Sequence, residues 1–317
     1  MEKYLEKSII SIINQSFQKF EIIIVNDNSY DNTHSIIQIL QSKDKRIKAI
    51  NHKRNLGVYQ SRRDALLNSE GKYILYIDPD DMLLNQDLFE ELYKYNLKYN
   101  LDIIEFSVYY QEEGKSRIFF PKSHEYNHYH KYNKNIIFQP ELSNVLFYLP
   151  NTLNYTYIFC RSIWNKLIRK KILIKSIEYI ENIFHNLYLI AADDTPINIL
   201  NFNYAYNYSN INLPGYLYNE RKKSISRLKN DKKHDIIVSY NYLLYLRVFY
   251  KYIIDFKKNI NFFFYDLQKC YSFLLNLKDL NSEYKQKSIE FFNELINNNI
   301  SQNFINLIKE LIIYLNK

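Results

Sequence analysis

"YILYIDPDDML" (residues 73–83) is an apolar run that ends in three carboxylates, Asp78, Asp80 and Asp81, with Pro79 among them. A continuous apolar segment of this length reads as a buried strand. In open parallel sheets, ligands bind in the crevice outside the carboxyl ends of the strands, so charge at such an end is informative. The flanking sequence supplies the rest of the sheet. Leu5, Ile9, Ile12 and Ile13 fall at helical spacing within 3–15, and "EIIIVND" (21–27) follows as a second apolar strand. Asp31 or Asn32 can N-cap a helix running to about Gln41. "RIKAINH" (46–52) alternates as a strand, 57–68 is helical, "KYILYID" (72–78) is the next strand, a helix fits 85–98, and "DIIEFSVYY" (102–110) closes the series. Strands alternating with helices of this length predict an α/β fold, a mostly parallel sheet flanked by helices. The chain opens on a helix, whereas such a sheet normally begins with a strand. Either the sheet starts one strand short or an N-terminal segment is absent from this chain.

With 317 residues, 47% of them hydrophobic, the chain can bury a large core and is not a disordered protein. Cys160 and Cys270 lie far apart and match no metal-ligand spacing, which argues against a disulfide framework and suits a reducing compartment. The start, "MEKYLEKSII", lacks the apolar core of a signal peptide, and the longest apolar runs are interrupted by Asn, Lys or Asp. The expectation is a soluble, cytoplasmic protein without a transmembrane segment. The 32 tyrosines, like the many Ile, Asn and Lys residues, read as compositional bias and are not taken as a binding signal. The net charge of +8 suits an anionic partner, but the basic residues are dispersed, with short clusters at Arg169–Lys171 and Arg221–Lys223. They read as solvated faces, not as a nucleic-acid surface.

Pro79 restricts Asp78 to an extended conformation, in which Asp78 and Asp80 point to one side and Asp81 points away or begins a turn. Two hard oxygen ligands leave room for water and phosphate, which suits Mg²⁺ or Mn²⁺ held jointly by protein and a diphosphate. A bare Asp-x-Asp reads equally as an acidic turn capping the helix at 85–98.

Two further segments give that motif a context. "QSFQKFEIIIVNDNSYDNT" (15–33), "NLGVYQSRRDAL" (55–66) and "GKYILYIDPDD" (71–81) occur in that order. In order and spacing they resemble the GT-A glycosyltransferases of family 2, densely over residues 1 to about 110 and more thinly to about 230. The resemblance implies a glycosyltransferase domain over 1–230, with a nucleotide-sugar half (1–110) and an acceptor half (111–230). It also implies roles. Asp27 stands where the family contacts the nucleotide base, usually uracil, and Asn26 stands where an aspartate is more common. Asp27 and Asp31 could otherwise cap the next helix. Arg62 matches an arginine near the nucleotide, whose fork suits phosphate or carboxylate. Arg63 reads as a surface residue, and Gly57 begins a helix close to the ligand. Asp78 and Asp80 become the metal pair, with Asp80 the direct ligand.

Farther along, "WNKLIRKKIL" (164–173) resembles a segment leading to the acceptor side, which brings in Trp164 and Lys166. Trp164 suits stacking on a sugar ring or packing between helices. "AADDTPINILN" (191–201) resembles the start of the helix that carries the family's general base; Asp194 takes that position, with Asp193 in place of the usual glutamate. "LYNERKKSIS" (217–226) resembles the closing segment whose basic residues, here Arg221 and Lys222, cover the diphosphate.

The implied activity is metal-dependent transfer of a sugar from a nucleotide-diphosphate sugar, a UDP-sugar first, to a hydroxyl of a glycan, protein or lipid-linked acceptor, with inversion. A nucleotidyltransferase also places paired carboxylates at a sheet edge but needs a glycine-rich basic loop, which this sequence lacks. A non-catalytic binding or assembly protein with a decayed transferase domain is the remaining alternative. "SHEYNHYH" (123–130) spaces His124, His128 and His130 as zinc ligands without an obvious fourth, and reads as a polar connection. Residues 231–317 carry helical apolar patterns, as in "FINLIKELIIYL" (304–315), and read as a helical region that packs on the domain, forms a homo-oligomer or touches a membrane surface.

Overall fold

The computed structural model describes residues 1–112, 118–119, 136–139, 162–184, 194–221, 232–256, 282–297 and 302–316. The histidines of 123–130, both cysteines, Asp193 and Lys222 lie outside the described residues.

The amino-terminal rhythm folds as its periodicity predicts. Helix α1 (Leu5–Ile13) buries Leu5, Ile9 and Ile12, one stripe at helical spacing. Strand β1 (Ile22–Asn26) buries alternate residues, and α2 (Thr33–Lys43) buries Ile37 and Leu40. Strand β2 (Ile47–Asn51) pairs with β1 in parallel, and α3 (Val58–Asn68) packs on β1. Then come β3 (Tyr73–Ile74), β4 (Met82–Leu83), α4 (Leu88–Tyr99), β5 (Ile103–Glu112), β6 (Ile118–Phe119), β7 (Ile137–Phe138) and β8 (Lys166–Arg169). Helices α5 (Lys170–Ile183) and α6 (Asp194–Tyr204) precede β9 (Asn207–Glu220). Three helices follow, α7 (Lys232–Asp255), α8 (Ser282–Ile296) and α9 (Gln302–Leu315).

The α/β class with helices flanking the sheet and helices at the carboxyl end is as expected. The sheet itself is mixed instead of mostly parallel. Strands β1 and β2 form one sheet, and the second runs β3-β8-β5-β9-β4, with β6 on β5 and β7 on β9. Among the described residues only β1–β2 and β5–β9 pair in parallel. The expected strand at 72–78 is also shorter. Only Tyr73 and Ile74 join a ladder, because Asp78 accepts a hydrogen bond from the Asp81 N–H (3.0 Å) and the chain turns there. After that turn, β4 pairs antiparallel with β9, Met82 opposite Leu217 and Leu83 opposite Tyr216. Pro79 fits the second position of such a turn, where its fixed φ is preorganised. The two sheets are tied at one end by Glu21, whose carboxylate accepts the N–H groups of Glu70 (2.5 Å) and Gly71 (2.9 Å).

The chain divides into two compact units, one of Met1–Leu189 and Ile197–Ser224, the other of Ile190–Pro196 and Ile225–Lys317. The first holds both sheets and a core of Ile9, Ile24, Ile37, Leu88, Ile104, Phe106 and Tyr216 among others. In the second, α8 buries Phe291, Phe292 and Leu295, and α9 buries Ile308, Leu311 and Leu315. Among the described residues no helix is long and apolar enough to cross a membrane.

A buried ion pair sits inside the first unit. Lys166 on β8 is 0% exposed and places its ammonium 3.3 Å from Glu105 of β5, while also donating to the Ser162 carbonyl (2.6 Å) and to Asn165 Oδ1 (2.9 Å). Burial pushes the Glu105 carboxyl upward, against the pull of Lys166. Removing one member of such a pair strands the other charge. Lys166→Met is therefore expected to destabilise the protein by about 3–5 kcal/mol, with Lys166→Met/Glu105→Gln recovering part of the loss in urea denaturation.

Candidate functional site

The turn at 78–81 is anchored from below. Asp81 is 1% exposed, so its carboxylate points into the protein. One oxygen accepts the Tyr216 hydroxyl (2.8 Å), the other the Asn219 N–H (2.8 Å). The Tyr216 oxygen in turn accepts the Asp78 N–H (3.1 Å), and Asn219 Nδ2 donates to the Asp80 carbonyl (2.7 Å). Burial pushes Asp81 up to about 8; the charges of Asp80 and Asp78 add to that, and the Asn219 and Tyr216 hydrogen bonds oppose it. The Tyr216 phenol is raised as well, first by burial and then by Asp78 and Asp81. Trp164 lies stacked on Tyr216, 4.5 Å between ring centroids, and on Tyr218, 5.6 Å.

With Asp81 turned inward, Asp78 and Asp80 are left on the outer side of the turn, each facing an arginine. Arg62 of α3 donates to Asp78 Oδ1 (3.0 Å), and Arg221, just past β9, forms an ion pair with Asp80. Burial is the first influence on Asp80 and raises it, with Asp78 adding and Arg221 opposing. Arg221 also lies over the Tyr4 ring, 4.9 Å from its centroid. Arg63, expected at the surface, is partly buried and pairs with Asp64 and Glu181.

The end of β1 forms the second part. Asn26 is buried, donates to Asn51 Oδ1 (3.2 Å) and accepts the Ser29 N–H (3.1 Å), so it ties the ends of β1 and β2 together. Asp27 reaches to the start of α3, where its oxygens accept the N–H groups of Leu56 (2.7 Å) and Gly57 (2.9 Å). It therefore caps α3 and not the next helix, and Gly57 holds φ 86° there, a region that glycine enters without cost. Asp31 serves α2, accepting the Thr33 N–H (3.2 Å).

The expected residues thus separate. Asp78, Asp80, Arg62 and Arg221 come together, and Asp27 stands at the amino end of the helix that carries Arg62. Trp164 and Lys166 are buried, the first under Tyr216 and the second against Glu105, which places both in the core instead of on an acceptor surface. Asp194 is the first residue of α6 and is half-buried. Sequence reasoning missed Tyr216 and Asn219, whose signal was lost among 32 tyrosines and an Asn-rich background. It also missed His52, which follows β2 and contacts Asp27 (2.8 Å).

Chemically, the turn offers hard oxygens only. The carboxylates of Asp78 and Asp80, each already facing a guanidinium, are oxygen donors of the kind that suits a divalent cation. Among the described residues no three His, Cys, Asp or Glu side chains converge on a common metal position.

A cholesterol galactosyltransferase of Borreliella burgdorferi is 24% identical over 305 residues, covering 92% of this chain and 79% of the relative. An uncharacterized glycosyltransferase of Methanocaldococcus jannaschii is 41% identical over 136 residues, 41% of this chain and 46% of the relative. The glycosyltransferase GlyA of Streptococcus pneumoniae is 35% identical over 120 residues, 38% of this chain. The chain spans 17% of GlyA and 46% of the M. jannaschii protein, less than two thirds of either. Among solved structures, S. aureus TarS (residues 1–349) superposes with a TM-score of 0.56 at 19% identity, covering 99% of this chain and 80% of that one. The family model for glycosyl transferase family 2 matches residues 1–176, more than half of the chain, and the protein belongs to that family.

Proposed function

We propose that this protein transfers a sugar from a nucleotide-diphosphate sugar, a UDP-sugar first, to an acceptor hydroxyl with inversion at the anomeric carbon. The observation that carries this reading is the turn at 78–81, with two outward carboxylates each facing an arginine and a third carboxylate buried to hold the turn in place. The TarS fold, which resembles this one at 17% identity and a TM-score of 0.54, has been crystallised with UDP-GlcNAc, and that agrees with the choice of donor.

In this reading Asp27 accepts the imide N–H of the base with the capacity left beside its contacts to Leu56 and Gly57. Asp78 and Asp80 would hold Mg²⁺ or Mn²⁺, which when bound supplies Lewis-acid stabilisation of the departing diphosphate. Arg62 and Arg221, with Lys222 next in the chain, add fixed positive charge where negative charge develops. Asp194 takes the proton of the attacking hydroxyl, which is a poor nucleophile at neutral pH, and Asp193 is next in line for that role. One base acting opposite the leaving group gives inversion. The acceptor is a glycan, a protein or a lipid-linked sugar.

Calorimetric titration with UDP, with and without Mn²⁺ and against GDP, tests the donor site. Asp80→Ala is expected to lower Mn²⁺-dependent UDP affinity by more than about tenfold, or about 1.4 kcal/mol; unchanged affinity would remove Asp80 from the metal site. Tyr216→Phe removes the hydroxyl that serves both Asp78 and Asp81, at an expected stability cost of about 1–3 kcal/mol, and UDP affinity in Mn²⁺ should fall with it. Asp194→Asn should leave UDP binding intact and reduce transfer by roughly 10²–10⁴-fold, read by steady-state kinetics once an acceptor is in hand. A fully active Asp194→Asn enzyme would pass the base role to Asp193.

A further inference from the structure

His52 is the one histidine among the described residues set between two carboxylates. Its Nδ1 is 2.8 Å from Asp27 Oδ1 and its Nε2 is 3.1 Å from Asp64 Oδ2, and the side chain is only 6% exposed. An ionised carboxylate only accepts hydrogen bonds, and a neutral imidazole carries one N–H and one bare lone pair. The neutral ring would therefore set a lone pair against one of the two carboxylates at hydrogen-bond distance, where little water can intervene. The imidazolium donates to both.

We propose that His52 is a positioning residue for the nucleotide base: its buried ring, set between Asp27 and Asp64, braces the Asp27 carboxylate through Nδ1. The proposal rests on the reading of Asp27 as the base contact. Asp27 has three donors within the protein, the N–H groups of Leu56 and Gly57 and the His52 ring. Asp64, on the ring's other side, is held independently by Gln60 Nε2 (2.9 Å) and Arg63 Nη1 (3.0 Å), both from α3. Each carboxylate thus carries two donors besides the ring, and the ring links the two, so its part at Asp27 is read by replacing its two nitrogens separately.

Two amides separate the ring's two contacts. Asparagine reproduces the Nδ1 side and can donate to Asp27 at every pH, whereas glutamine reproduces the Nε2 side and can donate only toward Asp64. UDP affinity is measured at fixed Mn²⁺ and fixed pH. The expected result is affinity for His52→Asn close to that of the unsubstituted protein and a loss of about tenfold, or about 1.4 kcal/mol, for His52→Gln. Equal affinity in all three proteins, or an equal loss in both variants, would overturn the positioning role. Asp27→Asn is the control for the underlying reading. If it loses UDP binding while the two His52 variants bind alike, His52 alone is misassigned. If it binds UDP as well as the unsubstituted protein, Asp27 is not the base contact and the proposal fails with that reading.

Discussion

A carboxylate in the core is the constraint on which the site depends. Removing a carboxylate from water is costly unless donors replace the lost hydration, and Asp81 receives one donor from the Tyr216 hydroxyl and one from the Asn219 backbone. Both come from β9, so the turn at 78–81 and β9 must form together. The ladder between β4 and β9 is short, Met82 opposite Leu217 and Leu83 opposite Tyr216, and could not by itself fix the turn with precision. The buried side-chain network adds that precision, because a network whose members are all satisfied specifies a single arrangement. Trp164 beneath Tyr216 then acts at one remove, fixing the ring whose hydroxyl holds the turn. The sole tryptophan thus serves the site without lining it.

Burying one of three adjacent carboxylates also solves an electrostatic problem. Carboxylates this close repel one another: after burial, Asp78 raises Asp80, and Asp80 and Asp78 raise Asp81. Arg62 and Arg221 approach from different elements, one from α3 and one from the end of β9, and each neutralises one outward carboxylate. The arginines come from separate supports, so the two carboxylates are held by different parts of the fold. Guanidinium forks serve carboxylate and phosphate alike. The same two side chains can therefore stabilise the turn and complement a diphosphate.

Much of this was legible in the sequence, for reasons that differ by residue. The stripe of Leu5, Ile9 and Ile12 and the run "EIIIVND" are local periodicities, and local periodicity survives into the fold. The mixed sheet was not legible. The pairing of β5 with β8 and β9 joins residues about 60 and about 105 positions apart, and no local pattern encodes which neighbour a strand acquires. The turn at 78–81 was misjudged because Pro79 restricts the residue before it toward extended conformations and equally favours the second position of a turn. The Asp81 N–H bonding back to Asp78 decided between them. Lys166 was misplaced because a lysine is ordinarily exposed, and its partner Glu105 lies 61 positions away on another strand.

Register is the last link between fold and site. In the parallel pair β1–β2, Asn26 stands opposite Asn51, and the His52 N–H continues the ladder to the Asn26 carbonyl at 3.0 Å. The residues that follow the two strands, Asp27 and His52, are therefore delivered side by side. The link from Asn26 to Asn51 closes the ladder at that point and holds the two strand ends level. A slip of one residue would turn every side chain of one strand to the opposite face. It would bury Ile23 and Val25 in place of Ile22 and Ile24 and separate the imidazole from Asp27 at the same time. The apolar alternation that seats β1 in the core and the polar pair at its end are thus specified by one register, so the geometry around Asp27 is stabilised by burial of isoleucines several residues away.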